Sequence, residues 1–371
     1  MVYLYIYLTC FTAVSVPFRL DPFALSPSQF PSDLPDINPG AFPCTQSEVG
    51  SFARSFGPAV FSVSFLLGLV GNGLVLAVLS SRRCPWLLAD RFLFQLAVAD
   101  LLLVLVLPFR ATQFSQSWAF GEPFCKLVGA LSAMSSYSTA FLLACVTLER
   151  YLAIVHSLQP RWTPHGALLA STLLWAASIA LSVVELHFRT VSYVSQAGAV
   201  VCHLGFDARD ANTWRLSLRL VSFLLGFLFP VAVMVYCYVR MLVKLRQLFF
   251  RVTALRLLSV ILLLFVLCWG PFHGFVLVDS LQRLGHVGRD CAKEKILDFG
   301  LLFTESVGLV HSCLNPLVYA FVGAKFRKEL SGLFRDWRQC RRQQQIAPSP
   351  VGSGRETEFS VAQMADYSVM M

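Results

Sequence analysis

Long apolar stretches alternate with short polar ones along most of this chain. Seven apolar stretches are long enough to cross a bilayer as helices, which takes roughly 17–25 residues each. They are Ala59–Leu79, Phe92–Thr112, Leu127–Ile154, Ala167–Leu186, Leu220–Met241, Leu257–Val278 and Phe299–Phe321. The pattern predicts an all-α membrane protein, in which a bundle of seven transmembrane helices over residues 56–323 is followed by a short amphipathic helix over 324–340.

Basic residues collect in alternate polar segments, which predicts how the bundle is oriented. They are Arg82, Arg83, Arg91, Arg161, Lys244, Arg246, Arg251, Arg256, Lys325, Arg327, Lys328, Arg335 and Arg338. The positive-inside rule places these segments in the cytoplasm and the N-terminus outside the cell. A chain that is 56% hydrophobic and 14% charged has the composition of a polytopic membrane protein. Cytoplasmic basic residues therefore explain the net charge of +9 better than a nucleic-acid partner does.

The two ends of the chain are predicted to lie outside the bundle. Residues 1–55 form an extracellular N-terminal segment, whose apolar start over 1–16 is either a signal peptide or an extension upstream of the true start. The stretch over 21–43 is rich in Pro, Ser and Asp, which is typical of disorder. Residues 341–371 are predicted to be a disordered cytoplasmic tail.

The last apolar stretch carries an unusual polar pair, Asn315 and Pro316, with Tyr319 three residues later. Pro inside a membrane helix frees a backbone carbonyl, which neighbouring helices, polar side chains or water must satisfy. The pair therefore indicates a packed, partly hydrated bundle interior. The whole stretch "HSCLNPLVYAFVGAKFRK" resembles the seventh helix of rhodopsin-like G-protein-coupled receptors. Its His-x-Cys-Leu-Asn-Pro form resembles the CXC-type chemokine receptors, and other segments are most similar to the type 3 subfamily.

This resemblance implies a conformational switch between the two ends of the bundle. Glu149 stands where the family usually has Asp, and its carboxylate would hold Arg150 inactive until a cytoplasmic cleft opens. A snorkelling Arg150 at the membrane interface is the alternative. The implied switch residues are Glu149, Arg150, Tyr151, Tyr238, Phe265, Trp269, Pro271, Asn315, Pro316 and Tyr319.

The resemblance also implies two disulfides on the outer side, where disulfides persist. These are Cys125–Cys202 and Cys44–Cys291, and four free thiols are the alternative. Cys340 follows a basic and aromatic segment and is a candidate for palmitoylation.

Polar residues inside the spans match a sodium site in the resembled family. Hard oxygen ligands suit this ion, and the alternative is a purely structural hydrogen-bond network. The residues are Asn72, Asp100, Ser135, Thr139 and Ser312. The His residues lack metal-ligand spacing, so no transition-metal site is expected, and no catalytic group of residues indicates an enzyme.

Charged residues near the predicted outer ends of the spans would contact a ligand. Chemokines are basic, so acidic groups should complement them. The packing of the resembled family implies that Arg110 faces the pocket near Glu305. Because an unpaired Arg inside the membrane would be costly, an ion pair of Arg110 with Glu305, shared with Asp298, is expected, unless Arg110 snorkels to the outer water. The expected ligand-binding residues are Arg110, Arg215, Arg219, Asp279, Asp298 and Glu305.

Together these resemblances imply a plasma-membrane receptor for a CXC chemokine. They imply activation of a Gi-class heterotrimeric G protein, with receptor kinases and arrestin acting on the tail, and a role in leukocyte chemotaxis. A scavenger of the same fold that binds chemokine without signalling is the alternative. A secondary transporter would show related halves with interrupted helices, and no such internal repeat is present.

Overall fold

The computed structural model describes residues 47–81, 88–155, 164–194, 198–207, 209–247, 255–288, 290–323, 326–332 and 335. The predictions for residues 1–46, for Cys340 and for the tail over 341–371 lie outside the described residues.

Seven helices in the described part of the chain are long and apolar enough to cross a membrane, which confirms the predicted bundle. Spans one to four are Ser47–Ser80, Leu88–Ser115, Gly121–Val155 and Pro164–Phe188. Span five consists of Ala211–Val221, a π-helical segment Ser222–Leu228, and Phe229–Gln247. Spans six and seven are Arg256–Arg283 and Cys291–Val322. Residues 326–332 are also helical, within the predicted amphipathic helix.

Several helices extend beyond the apolar stretches that predicted them. Span one begins at Ser47, ahead of the predicted Ala59, and span five begins at Ala211, ahead of the predicted Leu220. Hydropathy detects only the part of a helix that lies in hydrocarbon, because the ends that project into the headgroup region carry polar residues. The extra turns place Arg215 and Arg219 on a regular helix.

The sequence did not predict the β-hairpin that joins spans four and five. Strand β1 (Arg189–Val194) pairs antiparallel with β2 (Ala199–Leu204). The hairpin is fixed to span three by the Cys125–Cys202 disulfide, with a Cα–Cα distance of 5.6 Å, which confirms that predicted bridge. The hairpin therefore lies against one end of the bundle, called the hairpin end below.

The start of span seven is capped by Asp290, whose Oδ1 accepts a hydrogen bond from the backbone N–H of Lys293 at 2.8 Å. This bond stabilises the ionised carboxylate and lowers the pKa of Asp290. Cys291, the next residue, is disulfide-bonded. Cys44 lies outside the described residues, so the Cys44–Cys291 pairing stays a prediction.

The bundle is apolar outside and partly polar inside, as expected of a membrane protein. Large residues such as Leu66, Leu168 and Leu263 are exposed on the helix surfaces, where lipid would cover them. Asn72, Asp100, Ser135, His311 and Asn315 are instead almost completely buried between the spans. Buried polar groups need partners in this setting, so their contacts define the interior of the bundle.

Candidate functional site

A cavity of about 570 Å³ opens between the spans at the hairpin end. Residues of spans two to seven and of the hairpin line it, among them Arg110, Glu185, Arg189, Arg215 and Glu305. Its volume lies in the range of roughly 300–1,000 Å³ that is typical of ligand sites. The cavity therefore brings predicted ligand-binding residues together in one place.

Arg110 of span two and Glu305 of span seven form an ion pair across the cavity. The distance between Arg110 Nη1 and Glu305 Oε1 is 2.7 Å, and the side chains are 18% and 39% exposed respectively. The predicted pair is confirmed, and Arg110 does not extend alone to the membrane surface. Asp298, which was predicted to share the pair, is half-buried on span seven but is not among the residues that line the cavity.

Asp279 of span six is held by two arginines rather than facing the cavity as an open carboxylate. Its Oδ2 lies 2.5 Å from Arg219 Nη1 on span five and 2.8 Å from Arg283 Nε on its own span. Asp279 is only 7% exposed. Its negative charge is therefore already compensated, and it fixes the guanidinium of Arg219 between spans five and six.

Arg189 and Glu185 form a second ion pair in the cavity wall. This pair was not predicted from the sequence. Nη1 of Arg189 also lies 3.6 Å from Cys202 Sγ, next to the disulfide that holds the hairpin. Glu185 lies in the last turn of span four and Arg189, four residues later, is the first residue of β1. The close spacing of opposite charges in the sequence was the available signal.

Arg215 differs from the other cavity arginines because it has no carboxylate partner within the described part of the chain. Its guanidinium carbon lies 5.6 Å from the ring centroid of Phe206, which also lines the cavity. A cation over an aromatic face gains only modest stabilisation when it is partly exposed. Arg215 thus presents to the cavity a positive charge that only the shared carboxylate of Asp279 partly compensates.

Asp100 of span two is the centre of a polar cluster deeper in the bundle. Its Oδ1 accepts a hydrogen bond from Thr139 Oγ1 at 3.1 Å, and its Oδ2 accepts one from Asn315 Nδ2 at 2.8 Å. Oδ1 of Asn315 is buried and has no hydrogen-bond partner among the described residues. A buried carboxylate, a hydroxyl and an unsatisfied amide oxygen form a donor set that fits a sodium ion.

The other predicted sodium residues make different contacts. Ser135 donates its hydroxyl hydrogen to the Ala99 carbonyl at 2.6 Å. Asn72 donates from Nδ2 to the carbonyls of Gly68 and Ser312, at 3.0 and 3.1 Å. The Asn72 bonds join spans one and seven. These residues serve helix packing through hydrogen bonds to the backbone, which is the structural alternative expected from the sequence.

The aromatic switch residues connect the cavity to the interior of the bundle. Trp269 and Phe265 of span six both line the cavity, on the same helix as Pro271. Trp269 lies so close to Gly308 of span seven that a Cβ there would be 3.0 Å from its ring. Phe265 packs edge-on against His311, with ring centroids 5.6 Å apart. Displacement of Trp269 would therefore affect both spans six and seven.

The remaining switch residues lie toward the end opposite the hairpin. Arg150 Nε is 3.2 Å from Glu149 Oε2, so the two neighbours form the expected local ion pair. Tyr238 packs in an apolar cluster with Tyr151. Tyr319 is buried, and within the described ranges of the chain its hydroxyl has no hydrogen-bond partner. The unsatisfied hydroxyl is consistent with a residue that gains its partner in another conformation.

The sequence matches a known protein family over most of the bundle. The family described as 7 transmembrane receptor (rhodopsin family) matches residues 71–319. The chain is 39% identical over 330 residues to the C-X-C chemokine receptor type 3 of Homo sapiens, covering 88% of both chains. It is 36% identical to the type 2 receptor of Macaca mulatta, over 81% of this chain and 85% of that receptor. It is 37% identical to the human type 5 receptor, over 78% of this chain and 80% of that receptor.

Proposed function

Because this chain belongs to the rhodopsin family of seven-transmembrane receptors, and within it to the chemokine receptors, we propose that it binds a CXC chemokine and activates a Gi-class G protein. It is a multi-pass membrane protein of the cell surface, and its family consists of receptors rather than enzymes. Promotion of leukocyte chemotaxis is the cellular response that this function would produce. The hairpin end, with the N-terminal segment, faces the outside in this proposal.

The observation that carries the proposal is that Trp269 belongs both to the cavity wall and to span six, the helix that contains Pro271. A ligand that enters the cavity can contact the Trp269 ring directly. The Trp269 ring in turn contacts span seven at Gly308. Ligand contact can thus favour one packing of spans six and seven over another, which is what a population shift between receptor states requires.

The opposite end supplies the groups that a G protein would need. The Glu149–Arg150 ion pair keeps Arg150 near its own helix, and its release would free a guanidinium for Tyr238, Tyr319 or a partner helix. Receptor kinases and arrestin would then act on the tail over 341–371. The alternative, a scavenger that binds chemokine without signalling, draws support from Glu149, because the longer side chain alters the resting ion pair.

Acidic residues in and beside the cavity would select a basic chemokine. Glu305 in the cavity and Asp279 beside it already have arginine partners, so an incoming cation must displace Arg110 or Arg219 from its carboxylate. Asp298, which lies on span seven outside the cavity lining, would be a further acidic contact. Affinity would therefore depend on the ligand replacing an existing ion pair, which favours ligands that carry groups of both signs.

The Asp100 cluster would hold an allosteric sodium ion as part of the same function. Asp100, Thr139 and Oδ1 of Asn315 are the oxygens that would coordinate it. A bound sodium ion would supply positive charge that compensates the buried carboxylate. Binding would join spans two, three and seven, and would stabilise whichever receptor state keeps these oxygens together.

A panel of CXC chemokines tests the proposal, with Gi activation and arrestin recruitment measured separately in the same cells. We expect at least one chemokine to activate Gi through the wild-type chain. Arg150→Ala should abolish Gi activation while chemokine binding at the surface is retained. Lys126→Ala, which removes a cation paired with Glu122 outside the cavity, is the control and should signal normally.

A signalling receptor and a scavenger would give different results in this experiment. Chemokine binding by wild type with internalisation but no Gi activation would favour the scavenger. Normal signalling by Arg150→Ala would contradict the proposed switch.

A further inference from the structure

The walls of the large cavity carry more positive than negative charge. Four arginines and two glutamates line it, which leaves an excess of two positive charges. They are Arg110, Arg189, Arg215 and Arg219 against Glu185 and Glu305. Both glutamates are already engaged, Glu305 by Arg110 and Glu185 by Arg189. The cavity as built is therefore electrostatically suited to an anion.

The excess charge is concentrated at span five. Arg215 and Arg219 are four residues apart, so they lie on the same helical face. Both also line a smaller cavity of about 70 Å³ together with Arg283. Asp279 forms ion pairs with Arg219 and Arg283 and also acts electrostatically on Arg215, which forms no ion pair of its own in the part of the chain that the structure describes. Three guanidinium groups thus share one carboxylate.

A partly desolvated guanidinium whose counter-charge is shared with two other arginines is well suited to bind an anion. Hydrogen bonds from arginine to a carboxylate are charge-assisted and can be bidentate, which makes them roughly twice as strong as neutral ones. Phe206 lies under the Arg215 guanidinium and restricts where the side chain can go. Arg215 is therefore both available and held in position toward the cavity.

The rest of the wall is suited to an apolar body attached to that anion. Phe206, Phe272, Val276 and Leu309 present aromatic and aliphatic surface to the same space. Small-molecule sites typically combine such a wall with a few polar groups that fix the ligand's orientation. Here the strongest orienting group is the cation of Arg215.

We infer that this cavity binds a small organic anion, a carboxylate on an aromatic or aliphatic body, with the carboxylate on Arg215. The inference is independent of the proposed function, because it concerns a free small molecule and requires neither a chemokine nor a G protein. A small organic cation is disfavoured, because each carboxylate lining the cavity would have to leave an arginine first.

The test uses the full chain, purified in nanodiscs of zwitterionic phosphatidylcholine so that lipid charge does not attract the probe. Naphthalene-2-acetate is the probe, and naphthalene-2-acetamide is its neutral match. Saturation-transfer NMR and calorimetric titration measure binding. We expect the carboxylate to bind saturably and the amide to bind at least about tenfold more weakly. A loss of this size is typical when a hydrogen bond to a charged group is removed.

Two variants locate the site. Arg215→Gln should weaken carboxylate binding by about tenfold or more while leaving the weak amide binding unchanged. Lys126→Gln removes the same charge outside the cavity, where Lys126 pairs with Glu122, and should bind the carboxylate like wild type. The melting temperature without probe checks that each variant is folded.

The comparison of the two probes on wild type decides the inference even if Arg215→Gln does not fold. Equal binding of carboxylate and amide, or no saturable binding of either, would overturn it. Equal carboxylate binding by folded Arg215→Gln and wild type would overturn the assignment to Arg215. Chemokine-dependent Gi activation is measured on separate samples. The binding of a small anion and the proposed receptor function can therefore fail independently of each other.

Discussion

Gly129 of span three leaves open the space that the side chain of Arg189 occupies, since a Cβ at position 129 would overlap the Arg189 guanidinium. The absence of one side chain thus lets a charged group from the hairpin enter the cavity wall. There Arg189 pairs with Glu185 and lies next to the disulfide sulfur of Cys202. The position of the hairpin over the cavity depends on this close approach.

Gly129→Ala should therefore destabilise the protein and displace Arg189. Overpacking of a filled interior typically costs about 1–3 kcal/mol. The measurement is the melting temperature of the purified receptor, together with its chemokine binding. We expect a lower melting temperature and weaker binding, because the hairpin that borders the cavity must shift.

Gly274→Ala is the matched control for this prediction. Gly274 lies on span six, and nothing is within 4 Å of a Cβ built there. The substitution should leave the melting temperature unchanged or raise it, because Ala favours helix. Equal effects of the two substitutions would show that the contact between residue 129 and Arg189 does not matter.

Much of the bundle could be predicted from the sequence because lipid imposes a simple requirement on it. A spanning helix must be apolar for its whole length in hydrocarbon, so all seven spans are visible as long apolar stretches. The hairpin was missed because its strands, Arg189–Val194 and Ala199–Leu204, lie outside hydrocarbon, where the requirement does not apply. The π-helical segment Ser222–Leu228 was missed because its apolar pattern resembles that of any membrane helix.

The candidate site was predictable where a charge had to be paired inside the membrane. The cost of an unpaired Arg110 indicated that it needs a carboxylate, and the packing of the resembled family correctly indicated Glu305. The same argument did not reveal that Asp279 is shared by Arg219 and Arg283, because two partners on different helices become apparent only when the helices are assembled. Nothing in the local sequence of Arg189 shows that Gly129 makes room for its side chain.

Asp279→Asn should impair the structure around span five more than it impairs direct contact with a ligand amine. The substitution leaves Arg219 and Arg283 without their carboxylate at a site that is mostly buried. We expect a lower melting temperature, and effects of Asp279→Asn and Arg219→Gln that are not additive. Glu122→Gln is the control, because its pair with Lys126 is more exposed and should contribute little. Additive effects in the double variant would show that Asp279 and Arg219 act separately.

Sodium should raise the melting temperature of the wild-type protein through Asp100. Replacing sodium chloride by N-methylglucamine chloride at equal ionic strength isolates the ion-specific effect, since a ligand that binds the folded state stabilises it. Asp100→Asn should abolish the difference. Ser135→Ala should retain most of it, because the Ser135 hydroxyl is bonded to the Ala99 carbonyl. Loss of the sodium effect in Ser135→Ala, or its persistence in Asp100→Asn, would contradict the proposed oxygen set.

Reversing the charges of Arg110 and Glu305 should distinguish the contribution of their ion pair to stability from the contribution of each side chain alone. Arg110→Glu and Glu305→Arg each replace the ion pair by two facing like charges, so each should lower the melting temperature. The double reversal should recover about 1 kcal/mol of the loss, a typical coupling energy for two residues in contact. The same reversal at Lys126 and Glu122 should change little, because that pair is more exposed.

Chemokine selectivity should depend on Arg110, because Arg110 pairs with the carboxylate of Glu305. Arg110→Trp removes the cation and frees the Glu305 carboxylate, which then attracts positively charged groups more strongly. Across a chemokine panel, we expect Arg110→Trp to bind chemokines with a basic N-terminal region more tightly than wild type does. Arg110→Trp combined with Glu305→Gln should lose that gain, because no freed carboxylate remains. An unchanged ranking of chemokines in Arg110→Trp would mean that the pair stabilises the bundle without selecting the ligand.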